Sequence, residues 1–214
     1  FTVQHDGARA NATYYFRLVD ATNGSPVLAS SSYPSLVTEG GSLSFSISGV
    51  PTGSTTEGVT TDIETTPTAI PFGTMPFDNQ FEAAYRLTVD TNATEGYRML
   101  MFATQDLTDT YGNTISLAAG TNESPVSWST GCPEEAAGCY GYHVGDDSLT
   151  DGSTRFAPND TFAAVATTTP VEVMYSAQPS VNESSDLIFR LEVSNQQPAG
   201  DYQQELIFIS VPVF

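Results

Sequence analysis

The chain has 214 residues, and 25 acidic against six basic side chains give it a formal net charge of −19. Such a surface repels phosphate backbones and anionic headgroups, which excludes nucleic acid as a partner and argues against membrane insertion. No apolar run is long enough to span a bilayer. Lysine is absent, so neither a Lys–Asn isopeptide staple nor lysine-linked polymerisation is open to this protein.

The length suits one large β domain, or a domain with an extension. Thr, Ser, Gly, Val and aromatics dominate, and no amphipathic helix pattern stands out. With no initiator Met and no basic leader before Phe1, the chain is read as a mature exported form.

Residues 1–40 form an N-terminal β extension. FTVQHDG places Phe1 and Val3 on one face. In TYYFRLVD, Tyr14, Phe16 and Leu18 share one side, with Tyr15, Arg17 and Val19 on the other. A strand with bulky groups on both faces is either central to its own sheet or a donor that completes a neighbouring subunit. Phe1, Val3, Tyr14, Phe16 and Leu18 are therefore the inter-subunit strand candidates. VTEGGS follows as a hinge, and residues 41–214 make up the main domain.

Ser42–Ser48 alternates without fault, with Leu43, Phe45 and Ile47 inward and four serines outward. Val59–Thr65 is expected to be a strand, and TPTAIPFGTMPF a Pro-punctuated edge or crossover. Phe81–Asp90 and Tyr97–Thr104 read as a central hairpin. Met99, Leu100, Met101 and Phe102 make both faces of its second strand apolar, so that strand belongs inside the fold or inside an assembly. Residues from Gln105 to Phe162 are loop-rich. Val171–Tyr175 is a short strand, and Asp186–Val193 with Tyr202–Val211 reads as a closing hairpin. The fold class is all-β: an antiparallel β-sandwich, Ig-like or jelly-roll-like, with an N-terminal strand extension.

One phrase recurs. Tyr85-Arg86-Leu87-Thr88-Val89 leads through DTNATEG to Tyr97, as Phe189-Arg190-Leu191-Glu192-Val193 leads through SNQQPAGD to Tyr202. A fainter echo is Phe16-Arg17-Leu18-Val19 before DATNGSP. The phrase reads as a repeated strand–turn–strand element.

Chemistry-bearing residues are few. Cys132 and Cys139, the only cysteines, are too few for a four-ligand zinc site and lack CxxC spacing; they are read as a local disulfide. Asn11, Asn92, Asn122, Asn159 and Asn182 open N-x-S/T sequons and are the glycosylation candidates; Asn23 opens another, weakened by Pro26. Asp146, Asp147 and Asp151 in GDDSLTDGS are close-spaced oxygen ligands suited to Ca²⁺, though not in the DxDxDG register. Otherwise no cofactor is expected. Trp128 is read as a core plug beside the disulfide, against a sugar-stacking platform. His5 and His143 lie far apart without motif context, and GxSxG, HExxH and phosphate-cradling loops are absent. The chain is not read as an enzyme. The hydrolase reading would need two carboxylates across a cleft.

Several phrases together resemble secreted all-β cell-surface proteins of candidate-phylum, Patescibacteria-type bacteria. They include Leu43-Ser44-Phe45-Ser46-Ile47-Ser48-Gly49-Val50-Pro51, Ile70-Pro71-Phe72-Gly73, Gly138-Cys139-Tyr140-Gly141-Tyr142-His143, Ser153-Thr154-Arg155-Phe156-Ala157 and Gln197-Pro198-Ala199-Gly200-Asp201-Tyr202. The resemblance spans residues 42–214 and implies a structural surface protein with no catalytic residues. The expected function is a subunit of an extracellular pilus-like filament or surface coat, assembling with copies of itself by strand addition. The alternative is a monomeric adhesin that grips surface glycans through loops around Trp128 and His143.

Overall fold

The computed structural model describes residues 13–15, 35–37, 40–132, 137–157 and 160–214. The chain divides into two units, Phe1–Ser42 and Leu43–Phe214. In the first, β1 (Thr13–Tyr15) pairs antiparallel with β2 (Ser35–Val37), Tyr14 lying opposite Leu36. Phe1, Val3, Phe16 and Leu18 lie outside the described residues.

The second unit is an antiparallel β-sandwich. Its strands are β3 (Leu43–Gly49), β4 (Thr55–Thr56), β5 (Val59–Thr60), β6 (Asn79–Thr91), β7 (Tyr97–Ala103), β8 (Val126–Ser127), β9 (Gly138–Val144), β10 (Thr161–Phe162), β11 (Val171–Ser176), β12 (Ser180–Val193) and β13 (Leu206–Pro212). Among the described residues the one helix is α1 (Trp128–Gly131). A four-stranded sheet runs β3-β6-β12-β9 and a three-stranded sheet runs β11-β7-β13, with β4–β5 and β8–β10 as small pairs.

The two copies of the repeated phrase find each other. β6 and β12 pair antiparallel so that Arg86 faces Asp186 and Arg190 faces Glu82. Each strand supplies an acid and, four residues on, an arginine; antiparallel pairing therefore makes two reciprocal cross-strand ion pairs, both at 2.8 Å. Along this pairing, odd-numbered residues of both strands point into the sandwich. Leu87, Val89, Leu187 and Phe189 are fully or almost fully buried there. Tyr85 meets Phe189 and Phe208 edge-on, at centroid distances of 6.3 and 6.5 Å.

The repeated phrases are not hairpins, contrary to the sequence expectation. β6 and β7 lie in different sheets, and so do β12 and β13. β6 already has β3 and β12 as ladder partners. Its next strand must instead stack its apolar face across the core. Both turns thus carry the chain from one layer to the other, and the strands they enter, β7 and β13, pair with each other. Gly96 makes the first crossing possible: its φ is +74°, and a Cβ there would stand 2.0 Å from the Ser176 carbonyl oxygen.

The expected strand over Val59–Thr65 is cut to Val59–Thr60. Beyond it the backbone turns to bond elsewhere: Asp62 and Ile63 N–H both donate to the Glu82 carbonyl. The buried Thr65 hydroxyl accepts from Val50 N–H and donates to the Ala84 carbonyl.

The outer face of the four-stranded sheet is covered as well. Ala84 and Ile188 pack beneath Trp128, Phe162, Val50 and the Cys132–Cys139 disulfide. β12 is therefore buried on both faces, and Arg190 lies between layers. Its guanidinium reaches Glu82 at 2.8 Å and Asp160 at 2.7 Å, and sits 4.3 Å from the Phe162 ring centroid.

Replacing Arg190 by Leu strands the Glu82 carboxylate and should cost about 3–5 kcal/mol in urea denaturation. Arg98→Ala, on a half-exposed arginine 3.9 Å from Glu172, should cost less than about 1 kcal/mol. Equal losses would contradict the role given to Arg190.

Candidate functional site

The disulfide joins Cys132 to Cys139 with Cα atoms 5.7 Å apart, within the ordinary range. It ties the loop after α1 to the start of β9, beside Trp128. Trp128 is buried, its indole N–H donating to Glu192 Oε2 at 3.0 Å and its ring edge-on to Phe162. His143, on the same outer face of β9, is buried too. Its Nδ1 lies 2.8 Å from the Thr161 carbonyl, which makes Nδ1–H the donor, and its ring packs between Phe156 and Phe162. Trp128 is thus a core plug, and neither residue offers a ring face to a sugar.

Asp146, Asp147 and Asp151 are not drawn together. Asp146 Oδ1 accepts from Ser148 N–H and hydroxyl, while its Oδ2 accepts from Tyr175 N–H at 2.7 Å. Asp151 closes a like turn on Ser153, and those hydrogen bonds hold its carboxyl below the usual range. The loop is built from Asx turns that use its carboxylates locally. Among the described residues, no three His, Cys, Asp or Glu side chains are arranged to hold a metal. A polar pocket of about 430 Å³ does gather Glu57, Asp146, Glu183 and Asp186. Arg86 and Thr56 already satisfy Asp186 there, at 2.7–2.8 Å. Burial, then the charges of Asp186 and Asp147, push the Glu57 carboxyl up.

The sequons separate by burial. Asn92 and Asn182 are exposed, and Asn182 adopts a positive φ in the irregular start of β12. Asn122 is buried, its Oδ1 accepting from Tyr142 hydroxyl at 2.7 Å and Arg155 at 2.6 Å. In the folded chain it is closed to a glycan, and this corrects its candidacy. Asn11 and Asn159 lie outside the described residues.

What remains on the surface is apolar rather than chemical. The outward face of the three-stranded sheet carries Leu100 and Phe102 on β7, set beside Ile209 and Ile207 of β13. Val211, opposite Arg98, extends this patch at 42% exposure. An antiparallel sheet facing water is ordinarily polar on that side. A cleft of about 1180 Å³ opens between the sheets, floored by Tyr85, Leu191 and Phe208 and walled by Ile47. Residues 67–75 and 197–206 form its rim. Phe45 shares the inward face with Ile47, yet is 42% exposed, because β3 ends its sheet.

Neither the exposure of Phe45 nor that of β13 was anticipated from alternation, which tells the face of a residue and not whether anything lies opposite. One signal was available: no charged residue occurs between Glu39 and Glu57 in so acidic a chain. Comparison with protein-family models, curated proteins and solved structures found no match for this chain.

Two outcomes follow from this packing. Burial holds the His143 imidazole below its ordinary value of 6.5, against the opposing bond from Thr161. The folded state therefore resists protonation, and stability is full above the ordinary value and declines as pH falls below it. The urea midpoint should drop between about pH 7 and about pH 5, and His143→Gln should remove part of that slope; an unchanged slope would contradict the buried neutral imidazole. In glycopeptide mapping of native protein, any glycan should fall on Asn92 or Asn182, with Asn122 always bare. An occupied Asn122 would overturn its place in the core.

Proposed function

We propose that this chain is a structural subunit of an extracellular polymer, a pilus-like filament or surface coat, assembled from copies of itself by β-strand addition. The observation that carries the reading is the apolar side of the sandwich. There, terminal strands β3 and β13 border an open cleft, and the outer face of β7 and β13 presents Leu100, Phe102, Ile207 and Ile209. A protein that stayed dispersed would gain nothing from such a surface.

In the proposed mechanism one copy offers an extended strand to the sheet edge of the next. Main-chain hydrogen bonds supply adhesion, and alternate side chains supply register. The candidate donor is the N-terminal stretch, with Phe1, Val3, Tyr14, Phe16 and Leu18 as register residues. The disulfide is compatible with an oxidising, extracellular setting. No helix of the described residues is long and apolar enough to cross a membrane. The adhesin reading has less support, because Trp128 and His143, its proposed contacts, are buried.

Sedimentation velocity tests this directly. The full chain should form large species, and a chain lacking residues 1–20 should stay monomeric with an unchanged far-ultraviolet spectrum. Assembly unaffected by the truncation would contradict the N-terminal donor, and a full chain that never assembles would contradict the polymer.

A further inference from the structure

Among the described residues, the two larger sheets of the main unit present four edges, β3, β9, β11 and β13, and their backbone hydrogen bonds can be followed one by one. The outer edge of β9 is taken. Tyr140 N–H donates to the Ser116 carbonyl, its own carbonyl accepts from Ala118, and Tyr142 exchanges bonds with Ala163, all at 2.9–3.0 Å. β11 is guarded by charged side chains: Asp146 accepts the Tyr175 N–H at 2.7 Å, and Arg155 caps the Glu172 carbonyl. β13 closes on Pro212, which has no N–H to offer a further strand, while Val213 N–H only continues the ladder with β7 through the Gly96 carbonyl at 2.9 Å. These are the ordinary protections of a strand edge.

β3 has none of them. It pairs with β6 in unbroken register from Leu43↔Thr91 to Gly49↔Tyr85, without a bulge. Among the described residues, no group outside β6 hydrogen-bonds the backbone of residues 43–48. Its side chains alternate serine with Leu43, Phe45 and Ile47, and it contains no proline and no charge.

We infer that β3 is the acceptor edge, and that its occupant is a strand from a second copy of this chain. The choice of occupant follows from charge. Residues 43–214 hold 22 of the 25 acids and four of the six arginines, a net −18. A cationic partner would be drawn to that acidic body. Two copies of the chain repel each other there, and they can approach along the uncharged stretch between Glu39 and Glu57. An added strand makes the four-stranded sheet five-stranded. Its inward side chains then cover Phe45, the one inward-facing residue of β3 that is exposed at 42%.

This inference rests on the polymer reading, and the test separates the two. Hydrogen exchange is measured on the full chain, assembled and dispersed, alongside assembly of Phe45→Lys and of Val181→Lys, a control at an exposed site outside β3. An inward-pointing lysine on an edge blocks strand addition. Expected are slowed exchange over residues 43–48 on assembly, unchanged exchange over β11, loss of assembly in Phe45→Lys and normal assembly in Val181→Lys. Wild-type assembly that leaves residues 43–48 unprotected, or that survives Phe45→Lys in a folded variant, overturns β3 as the acceptor while the polymer stands. Should Phe45→Lys not fold, exchange in the wild type decides alone. A wild type that never assembles overturns both.

Discussion

The structure depends on the pairing of β6 with β12. These are its two longest strands, and each repeats the other's order of acid, apolar residues and arginine. In antiparallel register the repeat complements itself: each arginine lands on the other strand's acid. The pair Arg190–Glu82 is buried between layers, where a slip of one residue would strand both charges and turn Leu187, Phe189 and Leu191 away from the core. Buried ion pairs add little net stability, but a misregistered alternative is costly, so the gain is in specificity. Once this pair is set, β3 and β9 flank it, and the two turns deliver β7 and β13 to the facing layer.

Much of the fold was legible in the sequence, because alternation reports strands and their faces. Ser42–Ser48, Phe81–Asp90 and Tyr97–Thr104 lie on strands close to the expected bounds, whereas Asp186–Val193 is the second half of a strand that begins at Ser180. Partner choice was not legible. A turn of several residues serves a hairpin or a crossing between sheets equally well, and what decides is whether the preceding strand already has two ladder neighbours. The repeat was visible, yet its meaning required seeing Arg86 opposite Asp186. The candidate site divides in the same way. The disulfide could be read from spacing, whereas a sequon motif says nothing about depth, and Asn122 lies in the core with Tyr142 and Arg155 on its carbonyl oxygen.

Charge links fold to proposed assembly. The arginines of the main unit are all engaged inward or with acids: Arg86 on Asp186, Arg98 near Glu172, Arg155 and Arg190 buried. The main unit therefore turns its four arginines to structural use, the two half-exposed ones included. In the proposed assembly the acidic surface keeps copies apart except where charge is missing, along β3 and along the stretch from Leu206 to Phe214. Long-range repulsion with two uncharged edges, of which β3 alone is free of proline, allows ordered end-to-side contact while disfavouring random aggregation.

The most direct test of this account is electron cryomicroscopy of the protein in native surface material, at a resolution that traces strands. The account predicts a regular polymer in which β6 and β12 lie at the centre of a sheet extended, beyond β3, by a strand of the neighbouring copy. Dispersed single subunits, or a polymer in which β3 still faces solvent, would contradict it.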